Sequence, residues 1–241
     1  TCPTQNLMEA YDMKDGTPFV WNNQSNPYDN RDPRMKYTIV CNEMKWPVDP
    51  VEIWEGGTNG LPLQNATTTG YYLKKYVNNT ISFEAGSTVT KKQHNWVLFR
   101  YGEILLNYAE AMINAFHDPN YKDAVYNMSA REAVNQIRGR TNISLPGFPS
   151  DITEKDFVKR LKNERRVELA FEGHRFWDVR RWKELGQTAN IYGVKITKNN
   201  EVISYEKFLL ETRAVTDNMY FYPIPNTERF KNPNLGQNPG W

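Results

Sequence analysis

Three glutamates in this 241-residue chain, Glu164, Glu168 and Glu172, are spaced four apart, with Arg165, Arg166 and Arg175 close by in sequence. Residues four apart share one face of a helix, so the sequence predicts a stripe of carboxylates answered by arginines from neighbouring turns. One chemistry open to such a stripe is acid and base catalysis. Cleaving a glycosidic bond takes two carboxyl groups facing each other across a sugar, roughly 5 to 9.5 Å apart, one of them with a raised pKa. Carboxylates stacked along one helix beside arginines have the opposite environment, because nearby positive charge lowers a carboxyl pKa. The other chemistry is structural: a partly buried ion-pair network, in which losing one partner costs on the order of 3–5 kcal/mol. The sequence favours the second, and no catalytic residue is assigned.

Other reactive residue types do not assemble into a motif. His94, His117 and His174 are scattered, and no metal-ligand spacing emerges; His174, just after Gly173, reads as structural. Cys2 and Cys41 make neither a zinc site nor a disulfide scaffold, and a bridge between them is left open. Cys2 reads as an ordinary cysteine, since one preceding residue cannot supply a lipid-attachment signal. No Gly-x-Ser-x-Gly elbow occurs, and Gly56-Gly57-Thr58-Asn59-Gly60 lacks the following Lys-Ser/Thr of a phosphate loop. No metal or cofactor is expected.

Tryptophans offer a different chemistry. Sugar rings have apolar C–H faces and a rim of hydroxyls, so a capture site pairs aromatic platforms with polar donors and acceptors. Trp21 is followed by Asn22, Asn23 and Gln24, while Trp46 and Trp54 flank a proline-rich turn and precede Thr58-Asn59. Trp21, Trp46, Trp54 and Asn59 are the candidate ligand-binding residues, although each tryptophan also suits ordinary packing. Trp96, Trp177 and Trp182 fall at core spacing and read as packing residues. With 30 basic against 28 acidic side chains, no single-sign field is available to attract nucleic acid. No apolar run is long enough to span a membrane, and no signal peptide is visible.

These residues must be positioned by the elements around them. Residues 1–94 are rich in Asn, Pro, Gly and Thr, with short apolar runs at Tyr37–Cys41 and Tyr71–Val77 that read as short strands between loops. In 95–186 the texture turns helical. Val97, Tyr101, Ile104, Leu105, Tyr108, Met112 and Ala115 recur at three- and four-residue steps, predicting a helix from Asn95 to Phe116, which Asp118-Pro119 ends. Ser129 and Thr153, each with a carboxylate three residues on, announce two further helix starts by a reciprocal cap. Those helices are expected to close near Gly139 and Gly173, glycines able to take the left-handed conformation. A shorter helix from Arg175 to Leu185 follows. In 187–241, Tyr192–Ile196 and Val202–Tyr205 suggest a strand pair around Lys198-Asn199-Asn200, and an extended tail starts at Tyr222. The fold class is mainly α with irregular loops and a few short strands, its helices in antiparallel, tetratricopeptide-like pairs.

The run Asn163-Glu164-Arg165-Arg166-Val167-Glu168-Leu169-Ala170-Phe171-Glu172-Gly173-His174-Arg175-Phe176-Trp177-Asp178 closely resembles the signature helix of the SusD/RagB family. Four other stretches match in the expected order: Asn26–Arg34, Thr69–Lys75, Arg100–Ala111 and Asn232–Trp241. The resemblance implies the C-terminal part of a SusD-like fold, with the N-terminal half and its lipid anchor outside this chain and all three segments in one domain. It implies non-catalytic binding of oligo- or polysaccharide at the cell surface and delivery to a SusC-like TonB-dependent transporter in the outer membrane of a Gram-negative, Bacteroidota-type bacterium. RagB-like members keep two alternatives open, capture of peptides or another nutrient and a structural role beside the transporter. A glycoside hydrolase is the least favoured.

Overall fold

The computed structural model describes residues 2–22, 26–81, 88 and 90–241. Among them the chain forms seven α-helices and two antiparallel two-stranded sheets. Helix α1 (Gln5–Met8), α2 (Arg34–Thr38), β1 (Ile39–Val40) and β2 (Tyr72–Leu73) are short pieces held in the loop-rich segment. Helices α3 (Tyr101–Phe116), α4 (Ala130–Arg138) and α5 (Glu154–Glu168) pack on one another, and α6 (His174–Arg181) follows. A long hairpin, β3 (Asn190–Asn199) and β4 (Val202–Thr212), and a last helix, α7 (Asn226–Lys231), complete the order.

Local chemistry explains where several helices start. Ser129 accepts from the Glu132 amide while the Glu132 carboxylate accepts from the Ser129 amide, the full reciprocal cap. Thr153 is only half of one. Its hydroxyl accepts from the Asp156 amide, but the shorter aspartate side chain bonds the Thr153 hydroxyl itself, 2.9 Å away, rather than the backbone. At the hairpin, Asn200 takes a positive φ of 54° between Asn199 and Val202, as a two-residue strand connection demands. Both strands run well beyond the expected cores, with a bulge at Ile191/Tyr192.

Several boundaries differ from expectation. Helix α3 begins six residues later than Asn95, because Arg100 is extended, with φ −144° and ψ 156°. Its side chain is drawn away to Glu168 and Glu172. Gly102 allows this approach: a Cβ there would lie 2.8 Å from Arg100 Nη1 and 3.2 Å from Glu168 Oε1. The buried face of α3 is Glu103, Leu105, Leu106, Ala109, Met112 and Ile113, so Val97, Tyr101, Ile104 and Ala115 lie outside it. Trp96 is 80% exposed and Trp177 58% exposed; neither is the packing residue its spacing suggested. Trp182 is half-buried, and its indole N–H donates to Glu110.

Helix α5 stops at Glu168, short of Gly173. Phe171 and Gly173 then take left-handed conformations, φ 62° and 84°, so Gly173 opens α6 instead of closing α5. Gly139 caps α4 with φ −81°, without the left-handed turn. Helix α6 ends at Arg181 and a 3-10 turn occupies Leu185–Thr188. The tail is not wholly extended, since it contains α7. Cys2 and Cys41 are free thiols, and burial pushes the Cys41 thiol up to about 12.

Two apolar cores result. The first joins Met8, Tyr11, Met35, Ile39 and Tyr71 to Val194, Ile196 and Tyr205 of the hairpin. The second fills the space between α3, α4 and α5 with Leu106, Ala109, Ile113, Val134, Ile137, Phe157 and Leu161. Helix α5 belongs to both, placing Val167 in the first core and Phe157 and Leu161 in the second.

Candidate functional site

Between the two cores lies the charged signature. Arg34 on α2 is its centre. It donates to Glu164 at 2.5 Å, to Glu168 at 2.9 Å and to Asp32 at 2.7 Å. Arg138 from α4 reaches Glu164 at 2.7 Å and Asp12 at 3.1 Å. Arg100 contacts Glu168 and Glu172, both at 2.6 Å, and Arg140 reaches Glu168 at 2.8 Å. Lys75 closes the ring on Glu172 at 2.6 Å.

The stripe of carboxylates is therefore real for Glu164 and Glu168, whereas Glu172 joins it from the turn beyond the helix end. The cations are not the expected ones. Arg165 pairs with Asp178 at 2.8 Å and bonds Asn107, and Arg175 donates to Gln187. Arg166 makes none of the ion pairs with these glutamates. Adjacent residues on a helix do not face each other, so Arg165 and Arg166 point away from the stripe. Its counter-charges arrive from α2, α4 and the residue before α3.

The network has no poised acid among its three glutamates. Burial alone would raise the Glu168 carboxyl, but Arg34, Arg100 and Arg140 hold it down at about 2. Burial likewise opposes ionisation of Glu164, and Arg34 and Arg138 override it. Glu172 is lowered by Arg100 and Lys75 against the same penalty. A general acid for glycoside cleavage needs the reverse shift, so the direction of all three shifts runs against that role. His174 sits 3.6 Å from Glu103, outside this ring.

The tryptophan-bearing loops lie on the first core. Trp46, Trp54 and Trp21 are each half-buried against it. Trp46 occupies a tight loop in which its amide donates to Asp49 O, and the Lys74 ammonium stands 4.6 Å from its ring centre. Lys198, near the end of β3, stands 4.5 Å from the Trp54 ring centre. Trp54 and Asn59 share one turn: Gly57 N–H donates to Trp54 O, and Asn59 Oδ1 accepts from the Glu52 amide at 3.1 Å. Tyr72 donates to Asn59 O at 2.6 Å, so Asn59 first of all shapes the turn. Trp21 meets Phe19 edge-on, 6.4 Å between ring centres. Asn23 and Gln24 beside it lie outside the described residues. Lys74 and Lys198 carried no signal in the sequence, because only the tertiary fold brings them over the indoles.

The ion-paired helix α5 and the tryptophan-bearing loops belong to one fold, and comparison with known proteins places it in a family. The chain belongs to the SusD family, whose model matches residues 1–241. A crystal structure of a SusD-like protein from Bacteroides fragilis superposes with a TM-score of 0.80 at 28% identity, covering 99% of this chain and 47% of that one. A SusD-like carbohydrate binding protein from the same species gives 0.71 at 26% identity, over 97% and 48%. SusD-like protein P38 of Formosa agariphila is 37% identical over 150 residues, 60% of this chain and 24% of that protein. The chain thus spans less than half the length of these relatives. No helix among the described residues is long and apolar enough to cross a membrane.

Proposed function

We propose that the chain is part of a non-catalytic glycan-binding protein that works on the outer surface of the outer membrane and hands oligo- or polysaccharide to a SusC-type TonB-dependent transporter. Family membership carries this reading, and one relative of similar fold is a carbohydrate binding protein. The site geometry supports it. The three signature glutamates are ionised and cation-locked, so they lack the proton that bond cleavage needs, while Trp46, Trp54 and Asn59 sit on loops braced by the first core. A lysine over one face of each of these two indoles adds a donor for sugar hydroxyls beside the apolar platform.

Affinity electrophoresis against plant, host and microbial polysaccharides tests this. Retardation by at least one neutral glycan with no release of reducing ends is the expected result, and steady product formation would overturn it. Trp54→Ala and Trp46→Ala should each weaken that binding about tenfold, the equivalent of about 1.4 kcal/mol per lost platform. If these two and Trp21→Ala all bind like the wild type, the site lies elsewhere.

A further inference from the structure

A cleft of about 460 Å³ opens between α5, the Glu9–Phe19 segment and the Glu184–Gln187 turn. Its size is in the range of small-ligand sites. Ala10, Pro18, Phe19 and Val158 give it apolar walls, and Arg166 and Arg175 line it together with Lys155 and Lys159.

The charge balance of this cleft is uneven. Each of its four acids already has a cation: Glu9 is held by Lys207 at 2.7 Å and Asp12 by Arg138 at 3.1 Å. Glu164 is taken by Arg34 and Arg138, and Glu184 by Lys162 at 2.5 Å. Arg160 is turned to the Gly16 carbonyl at 2.8 Å, with Asp12 3.7 Å away. Arg175 spends one nitrogen on the neutral Gln187 side chain. Among the described residues Arg166, Lys155 and Lys159 have no ion-pair partner. Burial pushes the Arg166 guanidinium down to about 10 and Arg175 adds like-charge repulsion, only partly offset by the nearby Glu9; Arg175 is likewise lowered by burial against the attraction of Glu184 and Asp178. Two guanidiniums that repel each other at the edge of an apolar-walled cleft gain most from a planar oxyanion shared between them.

We propose that this cleft binds an oxyanion, held by Arg166 and Arg175 with Lys159 at the rim, and that Phe19 and Pro18 receive the apolar face of the ring that carries it. A sugar acid satisfies both halves of the cleft; a free inorganic anion satisfies only the cationic half. The proposal draws on the glycan reading for the ring alone, and the oxyanion requirement stands without it.

Calorimetry on the 241-residue chain with D-glucuronate, D-glucose and inorganic sulfate tests it. Glucuronate binding with no detectable glucose binding is expected. Arg166→Gln and Arg175→Gln should each weaken glucuronate about tenfold, as loss of a charge-assisted bond does. Glucuronate tighter than sulfate supports both the oxyanion site and the ring contact with Phe19 and Pro18, whereas sulfate as tight or tighter keeps the oxyanion site but overturns the ring contact. Lys159→Glu, an exposed rim reversal, provides a variant that leaves the interior untouched and should also weaken binding. Absence of both glucuronate and sulfate binding, or variants that bind like the wild type with unchanged circular dichroism, would sink the proposal. Retention of neutral-glycan binding by Arg166→Gln would show that the tryptophan loops act separately from this cleft.

Discussion

Arg34→Ala is expected to lower the unfolding free energy by about 4 kcal/mol, the largest loss for any single substitution in the signature. Three carboxylates converge on this one guanidinium, and all of them are buried. Alanine leaves Asp32 with no ion pair among the described residues, Glu164 with Arg138, and Glu168 with Arg100 and Arg140. Stranding buried charge in this way costs on the order of 3–5 kcal/mol, against a total stability of about 5–15 kcal/mol for a typical protein. In a chain of this size that corresponds to a fall in Tm of roughly 10 °C. Arg34→Lys should recover little, since an ammonium cannot fork toward three acids as a guanidinium does. Urea unfolding at pH 7 measures both. The exposed pair Lys231–Glu228 serves as the control, because removing an exposed pair changes stability by less than about 1 kcal/mol. A loss for Arg34→Ala no larger than for that control would show that the network is decorative.

Acid should dismantle the same seam. The Glu168 carboxyl is depressed in the folded chain from its ordinary 4.5 to about 2. A depressed acid contributes its stability in full above the unfolded value and loses it as pH falls toward the folded one. The window is therefore about pH 5 down to pH 2, and the total at stake is about 3 kcal/mol at about 1.4 kcal/mol per pKa unit. Glu164 and Glu172 shift in the same direction and steepen the loss. Urea midpoints measured between pH 7 and pH 3 should fall accordingly. Glu168→Gln should be less stable at pH 7 yet flatter across this range, having no proton to take up at that position. An unchanged slope in the glutamine variant would contradict the assignment.

What the sequence disclosed follows the reach of each interaction. The Ser129 cap, the Asn200 turn and the Glu164/Glu168 stripe depend on residues within four positions of one another, and all were legible. The partners of that stripe were not. Arg34 is 130 residues from Glu164, and spacing along one helix says nothing about a guanidinium arriving from another element. The nearby Arg165 and Arg166 were the natural but wrong choice. Helix α3 shows a subtler failure. Its apolar residues fit two overlapping faces, and the one containing Val97 and Tyr101 lost because Arg100 left the helix to serve the network. The candidate ligand residues were readable as residue types, while the lysines over Trp46 and Trp54 and the turn-building role of Asn59 were not.

Helix α5 gives these separations a kinetic meaning. Packing among α3, α4 and α5 is local in sequence and can gather early, whereas Arg34 and Asp32 come from far upstream and the hairpin that completes the first core comes from downstream. Contacts of such long sequence separation close last. Until they do, Glu164 has only Arg138, and Glu168 only Arg100 and Arg140, to pair with, on a seam that the first core does not yet cover. The charges that resemble an active site therefore tie the two cores together: Glu164 and Glu168 have their full set of partners only when Arg34 of α2 meets α5.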